Sequence, residues 1–243
     1  MAADRVVLVT GASRGIGRAT AAAFARAGYD AAINCRADSA GLSETAELAL
    51  RHGARVLPVM ADVSDFDAAR DMFDRVEREL GAVSALVNNA GVSRRALFTD
   101  TGPDDWRRVM DVNFMSVLNC CRLAAPGMVR RGRGAIINVS SVWGERGASC
   151  EAVYSASKGA VGAFSRALGK ELAPSGITVN AVAPGVIDTA MNAGLTAPER
   201  AALTDAIPAG RFGAPEEVAE LCVFLAGAGY ITGQVITVDG GFA

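Results

Sequence analysis

The chain has 243 residues, 51% of them hydrophobic, with 24 Lys and Arg against 26 Asp and Glu and a net charge of −2. That length suits one sizeable α/β domain with a full core, and the charge balance leaves no basic field to attract nucleic acid. Five cysteines with no CxxC pair, and a single histidine, argue against a disulfide framework, a transition-metal site and a Ser-His-Asp triad.

The opening MAADRVVLVTGAS runs straight into a strand pattern without an apolar signal core. No run of about 18 apolar residues follows, so a cytoplasmic chain that does not enter a membrane is expected. A first strand is predicted over Val6–Thr10 and a helix over Gly15–Ala27. Between them lies Thr10-Gly11-Ala12-Ser13-Arg14-Gly15-Ile16-Gly17. Glycines there let the backbone turn and approach a pyrophosphate, and the helix start offers free N–H groups to the anion. The spacing is GxxxGxG rather than the commoner GxGxxG.

A second strand, Ala31–Cys35, ends in Asn34-Cys35-Arg36 with no acid at its tip. An acid would bind a ribose 2′-hydroxyl and select NAD, whereas Arg36, helped by Arg14, pairs with a 2′-phosphate and points to NADP(H). Asp38 lies close by and reads either as a helix cap or as a rival for that ribose. A helix over Leu42–Arg51 follows, with His52 read as a surface residue at its end, before Gly53. After the third strand, Val56–Met60, Asp62 suits the adenine amino group, with Val63 beside it, and is equally compatible with a plain turn. Next come a helix Phe66–Leu80 and a fourth strand Ala85–Asn88, which leads into Asn88-Asn89-Ala90-Gly91. One long helix is predicted over Asp104–Arg131, a strand over Ala135–Val139 and a helix over Ala152–Leu172. The remaining elements are a strand Ile177–Ala183, a helix Pro215–Leu225 and a strand Val235–Val238. Cys35, Cys120, Cys121, Cys150 and Cys222 read as small apolar fillers in a reducing compartment.

Short apolar strands alternating with helices predict one α/β domain over residues 1–243. Its architecture is a Rossmann-type doubly wound, seven-stranded parallel sheet with helices on both faces. The ligand crevice is then expected at the carboxyl ends of the strands. Tyr154 and Lys158, at i and i+4 of a predicted helix, share one face, and Ser141 precedes them. An ammonium about 4 Å from a phenol would favour phenolate by about 4 kcal/mol at an effective dielectric near 20, bringing tyrosine towards working pH.

The glycine turn, the Asn-Asn-Ala-Gly stretch and Tyr154-Ser155-Ala156-Ser157-Lys158 together resemble the short-chain dehydrogenase/reductase family, and the likeness spans the whole chain. The resemblance implies Asn113, Ser141, Tyr154 and Lys158 as catalytic. Serine would orient a substrate carbonyl and tyrosine would transfer the proton. Lysine would bind the ribose, and Asn113 would hold a water that links it to solvent. It also implies cofactor contacts at Gly11, Ser13, Arg14, Gly15, Ile16 and Gly17, at Arg36, Asp62 and Val63, and at Asn88, Asn89, Ala90 and Gly91. Pro184, Gly185, Val186, Ile187 and Thr189 would hold the nicotinamide amide.

Arg211 to Glu217 and Tyr230 to Gly241 are similar to the bacterial 3-oxoacyl-[acyl-carrier-protein] reductase branch. That likeness implies an acidic carrier protein as partner and basic residues at the entrance, with Arg94, Arg95, Arg130, Arg131 and Arg133 as candidates. Ser175 stands where that branch often has a basic residue. The stretch Ser141 to Glu151 is similar instead to elongation factor P 5-aminopentanone reductases, and a general small-ketone reductase is a third enzymatic alternative. Glu145 and Glu151 would suit their cationic substrate, and Trp143 would either wall the pocket or lie in the core. A sensor or scaffold that had lost its chemistry would be expected to lack Tyr154 or Lys158, and both are present. A mobile substrate lid, or two short structural helices, is expected over 189–211. Small and apolar residues on more than one face of the long helices predict a subunit contact, and the family likeness implies a homotetramer.

Overall fold

A computed structural model describes residues 5–242 of the chain. Its seven strands are β1 (Val6–Val9), β2 (Asp30–Cys35), β3 (Val56–Met60), β4 (Val83–Asn88), β5 (Gly134–Val139), β6 (Ile177–Pro184) and β7 (Val235–Val238). They form one parallel sheet in the order β3-β2-β1-β4-β5-β6-β7. Successive connections run outward from β1 one way and then, from β4, the other way. That reversal opens a crevice between the carboxyl ends of β1 and β4.

The inner strands read as continuous apolar runs because both their faces are covered. Every residue of β1 is buried. Its side chains alternate between faces. Leu8, with Leu86, Ile136 and Val179, belongs to a core that also takes in Met72, Val76, Val117, Met128 and Val161. Val7 and Val9, with Val87, Ile137 and Val182, belong to a second core that takes in Phe24, Leu42, Val218 and Leu225. The first face therefore carries α3 (Phe66–Glu79), α5 (Ser116–Arg131) and α7 (Ala152–Leu172); the second carries α1 (Gly15–Arg26), α2 (Ser39–Leu50) and α9 (Pro215–Gly227).

The expected single helix over 104–131 is interrupted. It consists of α4 (Pro103–Met110), a π-helical turn Asp111–Met115 and then α5. A short helix α6 (Trp143–Arg146) and a helix α8 (Ala197–Ala206) complete the set, with a 3₁₀ turn Ala190–Asn192 ahead of α8. Cys35, Cys120, Cys121 and Cys222 are buried fillers, and burial pushes the Cys120 and Cys222 thiols up to about 12. Cys150 is only half-buried and has a positive φ of 64°. Among the described residues no helix is long and apolar enough to cross a membrane, and no cluster of His, Cys, Asp and Glu could hold a metal.

Candidate active site

A cleft of about 560 Å³ lies at the carboxyl ends of the strands. Gly11, Ser13, Arg14, Gly15, Ile16, Gly17, Arg36, Asp62, Val63, Asn89, Ala90, Gly91, Ser141, Tyr154, Lys158, Pro184, Gly185, Ile187 and Thr189 all line it. Sequence reasoning missed Asn34, Ser93, Val112, Met191 and Asn192, which line it too.

The glycine turn is held against the strand beside it. Asn89 Nδ2 donates to the carbonyls of Thr10 and Gly11, both at 3.0 Å. A Cβ on Gly11 would lie 2.8 Å from Ala90 Cα, and one on Gly17 would lie 2.5 Å from Asn89 Nδ2 and collide with the Gly11 carbonyl. Positions 11 and 17 therefore accept no side chain, and the bare backbone there leaves the start of α1 open to an anion. These observations fit a dinucleotide phosphate.

Asn88 does not line the cleft. Side chains alternate along a strand, so neighbouring Asn89 reaches the turn while Asn88 faces the helices. Its Nδ2 donates to Asn138 Oδ1 at 2.8 Å, and its own Oδ1 is buried without a hydrogen-bond partner. Val186 is likewise outside the lining; its carbonyl accepts from Gly213 N at 2.9 Å.

At the adenosine end, Arg36 Nη1 stands 3.6 Å from Asp62 Oδ2. Burial opposes ionisation of Asp62, but two hydrogen bonds from Ser64 and the Arg36 charge outweigh it and lower the carboxyl. Asp38 caps α2, accepting from Gly41 N at 3.0 Å. That bond first, then one from the Ser13 hydroxyl, then Arg14 and Arg18, hold its carboxyl below the usual range.

At the other end, Tyr154 and Lys158 share one face of α7, with the Lys158 nitrogen 5.9 Å from the centre of the Tyr154 ring. Lys158 is 4% exposed and donates to the Val139 carbonyl at 2.8 Å. Burial pushes it down to about 8. Burial is also the chief reason that the Tyr154 hydroxyl is pushed up to about 12; a hydrogen bond with Ser141 opposes this and Glu151 adds to it. In the cofactor-free chain burial moves the phenol up, opposite to the direction expected from a neighbouring ammonium alone.

Asn113, fully buried, sits in the π turn. Its amide accepts from Val92 N at 2.8 Å and donates to Val92 O at 2.9 Å and to Ser157 Oγ at 3.0 Å. Ser157 in turn donates to the Tyr154 carbonyl at 2.7 Å. A π turn shifts one residue inward out of the helical register, a geometry common at functional sites. Here it links the wall after β4 to the first turn of α7.

The basic and acidic candidates divide. Arg130, Arg131 and Arg133 precede β5, at the opposite end of a parallel sheet from the cleft, so they cannot flank its entrance. Arg94 pairs with Asp105 at 3.3 Å beside a small hollow that also contains Tyr154, Phe98 and Trp106. Glu145 is bound to Arg166 at 3.1 Å, whereas Glu151 accepts a hydrogen bond from Ser93 on the cleft wall. Trp143 is neither cleft wall nor core; it is half-buried with its ring edge-on to Phe242.

A family model described as enoyl-(acyl carrier protein) reductase matches residues 11–243. The chain belongs to the short-chain dehydrogenase/reductase family. It is an oxidoreductase acting on CH–OH and C=O groups, and it binds a nicotinamide cofactor. It is 38% identical over 242 residues to the 3-oxoacyl-[acyl-carrier-protein] reductase of Chlamydia muridarum, covering 99% of this chain and 98% of that one. Carbonyl reductase family member 4 of Xenopus tropicalis is 40% identical over 237 residues, covering 98% and 97%. The crystal structure of 3-oxoacyl-[acyl-carrier protein] reductase from Brucella melitensis superposes with a TM-score of 0.93 at 38% identity, covering 99% of this chain and 92% of that one.

Proposed function

We propose that the chain is an NADPH-dependent reductase of a ketone, with a 3-oxoacyl thioester delivered by acyl carrier protein as its substrate. The observation that carries the reading is a buried tyrosine and a buried lysine on one helical face, in a cleft also lined by a glycine-rich turn. The names of its relatives support the substrate class.

A bound reduced nicotinamide supplies the hydride. Tyr154, kept protonated by burial, gives its proton to the carbonyl oxygen as negative charge develops there. Ser141 donates a second hydrogen bond to the same oxygen. Lys158 spends one N–H on Val139 and has others for a ribose hydroxyl. Asn113 keeps α7 and the wall at Val92 in register. Arg14 and Arg36 line the adenosine end while Asp38 is committed to its cap, which supports NADP(H) over NAD(H).

Residues 189–211 act as the substrate lid. Exposed apolar side chains support assembly as a homotetramer; they include Met115 at the end of the π turn, Val129 on α5, and Phe224 and Tyr230 before β7. An amino-ketone substrate is the second reading, favoured by Glu151 beside Tyr154. The deciding assay follows NADPH oxidation with acetoacetyl-carrier protein, with a protein bearing 5-aminopentanone and with a crotonyl thioester. Preference for the first is expected. Tyr154→Phe is expected to lose turnover by about 10²–10⁴-fold while keeping NADPH affinity within about threefold. Turnover equal to the parent's in that variant would refute the proton-transfer role.

A further inference from the structure

The stretch that follows β6 closes down on the glycine turn. A Cβ on Gly15 would lie 3.2 Å from Thr189 Cγ2, so this wall rests where a side chain has been left out. Ile187 and Thr189 both line the cleft. Between them, Asp188 is tied to α8. Arg200 Nη1 donates to Asp188 Oδ1 at 3.2 Å and Nη2 to Oδ2 at 2.9 Å, a two-pronged bond. The same guanidinium lies 4.3 Å from the centre of the Phe212 ring, and Phe212 is buried. Phe212 leads into Gly213, which pairs with Ile187 as an isolated parallel bridge. Gly213 O accepts from Asp188 N at 2.8 Å. Arg200 thus grips both sides of one small bridge.

The C-terminal end of α8 is anchored as well, by the buried Ile207 that follows it and by Ala209 N, which donates to Gly240 O at 3.0 Å. No residue of α8 is buried. Glu199 turns its carboxylate back on Thr196 to cap its own helix. An exposed ion pair by itself contributes little. A planar fork on a carboxylate that also stacks on an aromatic ring contributes more, because one guanidinium meets two demands in a single orientation.

We propose that Arg200 is a positioning residue: its fork on Asp188 and its stacking on Phe212 fasten α8 to Ile187–Thr189, so the lid and one wall of the cofactor cleft are set together. This rests on the lid reading of residues 189–211 given above.

Thermolysin is the probe, since it needs neither substrate nor cofactor and does not depend on arginine. Arg200→Ala and Asp188→Asn are each expected to speed cleavage between residues 190 and 206 by about fivefold, with the melting temperature within about 2 °C of the parent. The double variant is expected to be cut no faster than either single one, because both remove the same bond. Arg200→Lys keeps the charge and loses the fork, so it falls between. Unchanged cleavage in Arg200→Ala, or additive effects of the two substitutions, would overturn the clasp whatever the enzyme reduces. In the second measurement Arg200→Ala raises KM for NADPH about fivefold and leaves kcat within about twofold. A fall in kcat at constant KM would separate the helix from the cofactor wall and overturn the coupling.

Discussion

The two walls of the cleft are built differently. On the sheet side, polar groups are spent inside the fold: the half-buried Asn89 on the glycine turn, the buried Asn113 on Val92 and Ser157, and the buried Lys158 on Val139. On the side of the proposed lid, α8 has no buried residue, and exposed charges join it to the wall at Asp188. The first wall can present donors in fixed directions without rearranging when a ligand arrives, which is what electrostatic catalysis needs. A lid fastened in this way would open at small free-energy cost, which is what substrate entry needs. Rigidity and access are thus assigned to different stretches of chain.

The strongest way to break that contrast is a single methyl group. Gly17→Ala places a Cβ against the Gly11 carbonyl and 2.5 Å from Asn89 Nδ2, where backbone on one side and an amide bonded to the Thr10 and Gly11 carbonyls on the other leave no room. NADPH affinity is expected to fall by about 100-fold or more, as read by fluorescence titration. On the proposed lid, a Cβ on Gly194 would meet nothing within 4 Å, and Gly194→Ala is expected to leave affinity within about twofold. Equal losses in the two variants would mean that the walls do not differ in rigidity.

A second test uses the cost of burying a cation. Lys158 has no acidic partner among the described residues, and burial lowers it from 10.5 to about 8. Between those two values the unfolded chain binds more protons than the folded one, so stability of the cofactor-free protein rises as pH increases from about 8 to 10.5. Below pH 8 the full penalty is present, roughly 3–4 kcal/mol at 1.36 kcal/mol per pKa unit. Lys158→Met is therefore expected to raise the melting temperature at pH 7 by several degrees, flatten the rise above pH 8 and abolish turnover. A variant that melted lower at pH 7 would show that Lys158 stabilises its surroundings rather than straining them for function.

Much of this was legible in the sequence, for identifiable reasons. Strands covered on both faces are plain apolar runs, so the sheet could be read almost strand for strand. Tyr154 and Lys158 announced a shared helical face by their spacing alone. What escaped were properties that depend on a single residue step or on burial. Asn88 and Asn89 are neighbours of the same type, and only the strand's phase decides which one meets the turn. The π turn at Asp111–Met115 keeps a helical pattern on either side, so 104–131 read as one helix. Arg130, Arg131 and Arg133 were sorted by charge, whereas their place before β5 puts them at the wrong end of the sheet. Periodicity carries no distance between a phenol and an ammonium, nor how dry each of them is.

The smallest expected effect lies at the adenosine end, where rigid and exposed features meet. Arg36 stands on the buried tip of β2, yet its side chain is 57% exposed and shares its charge with Asp62, 38% exposed, at 3.6 Å. A 2′-phosphate would have to draw Arg36 from that carboxylate in competition with water and salt, so the attraction is real but shallow. Arg36→Ala is expected to lower kcat/KM for NADPH by about tenfold and leave that for NADH within about twofold. The gap should narrow in about 0.5 M salt, because the Debye length then falls well below 10 Å. Asp62→Asn, which removes the competing charge, is expected to shift the preference a few-fold towards NADPH. If instead Arg36→Ala lowered both cofactors equally, Arg36 would be shaping the adenosine pocket, and the reading of a phosphate at this strand tip would fall with it.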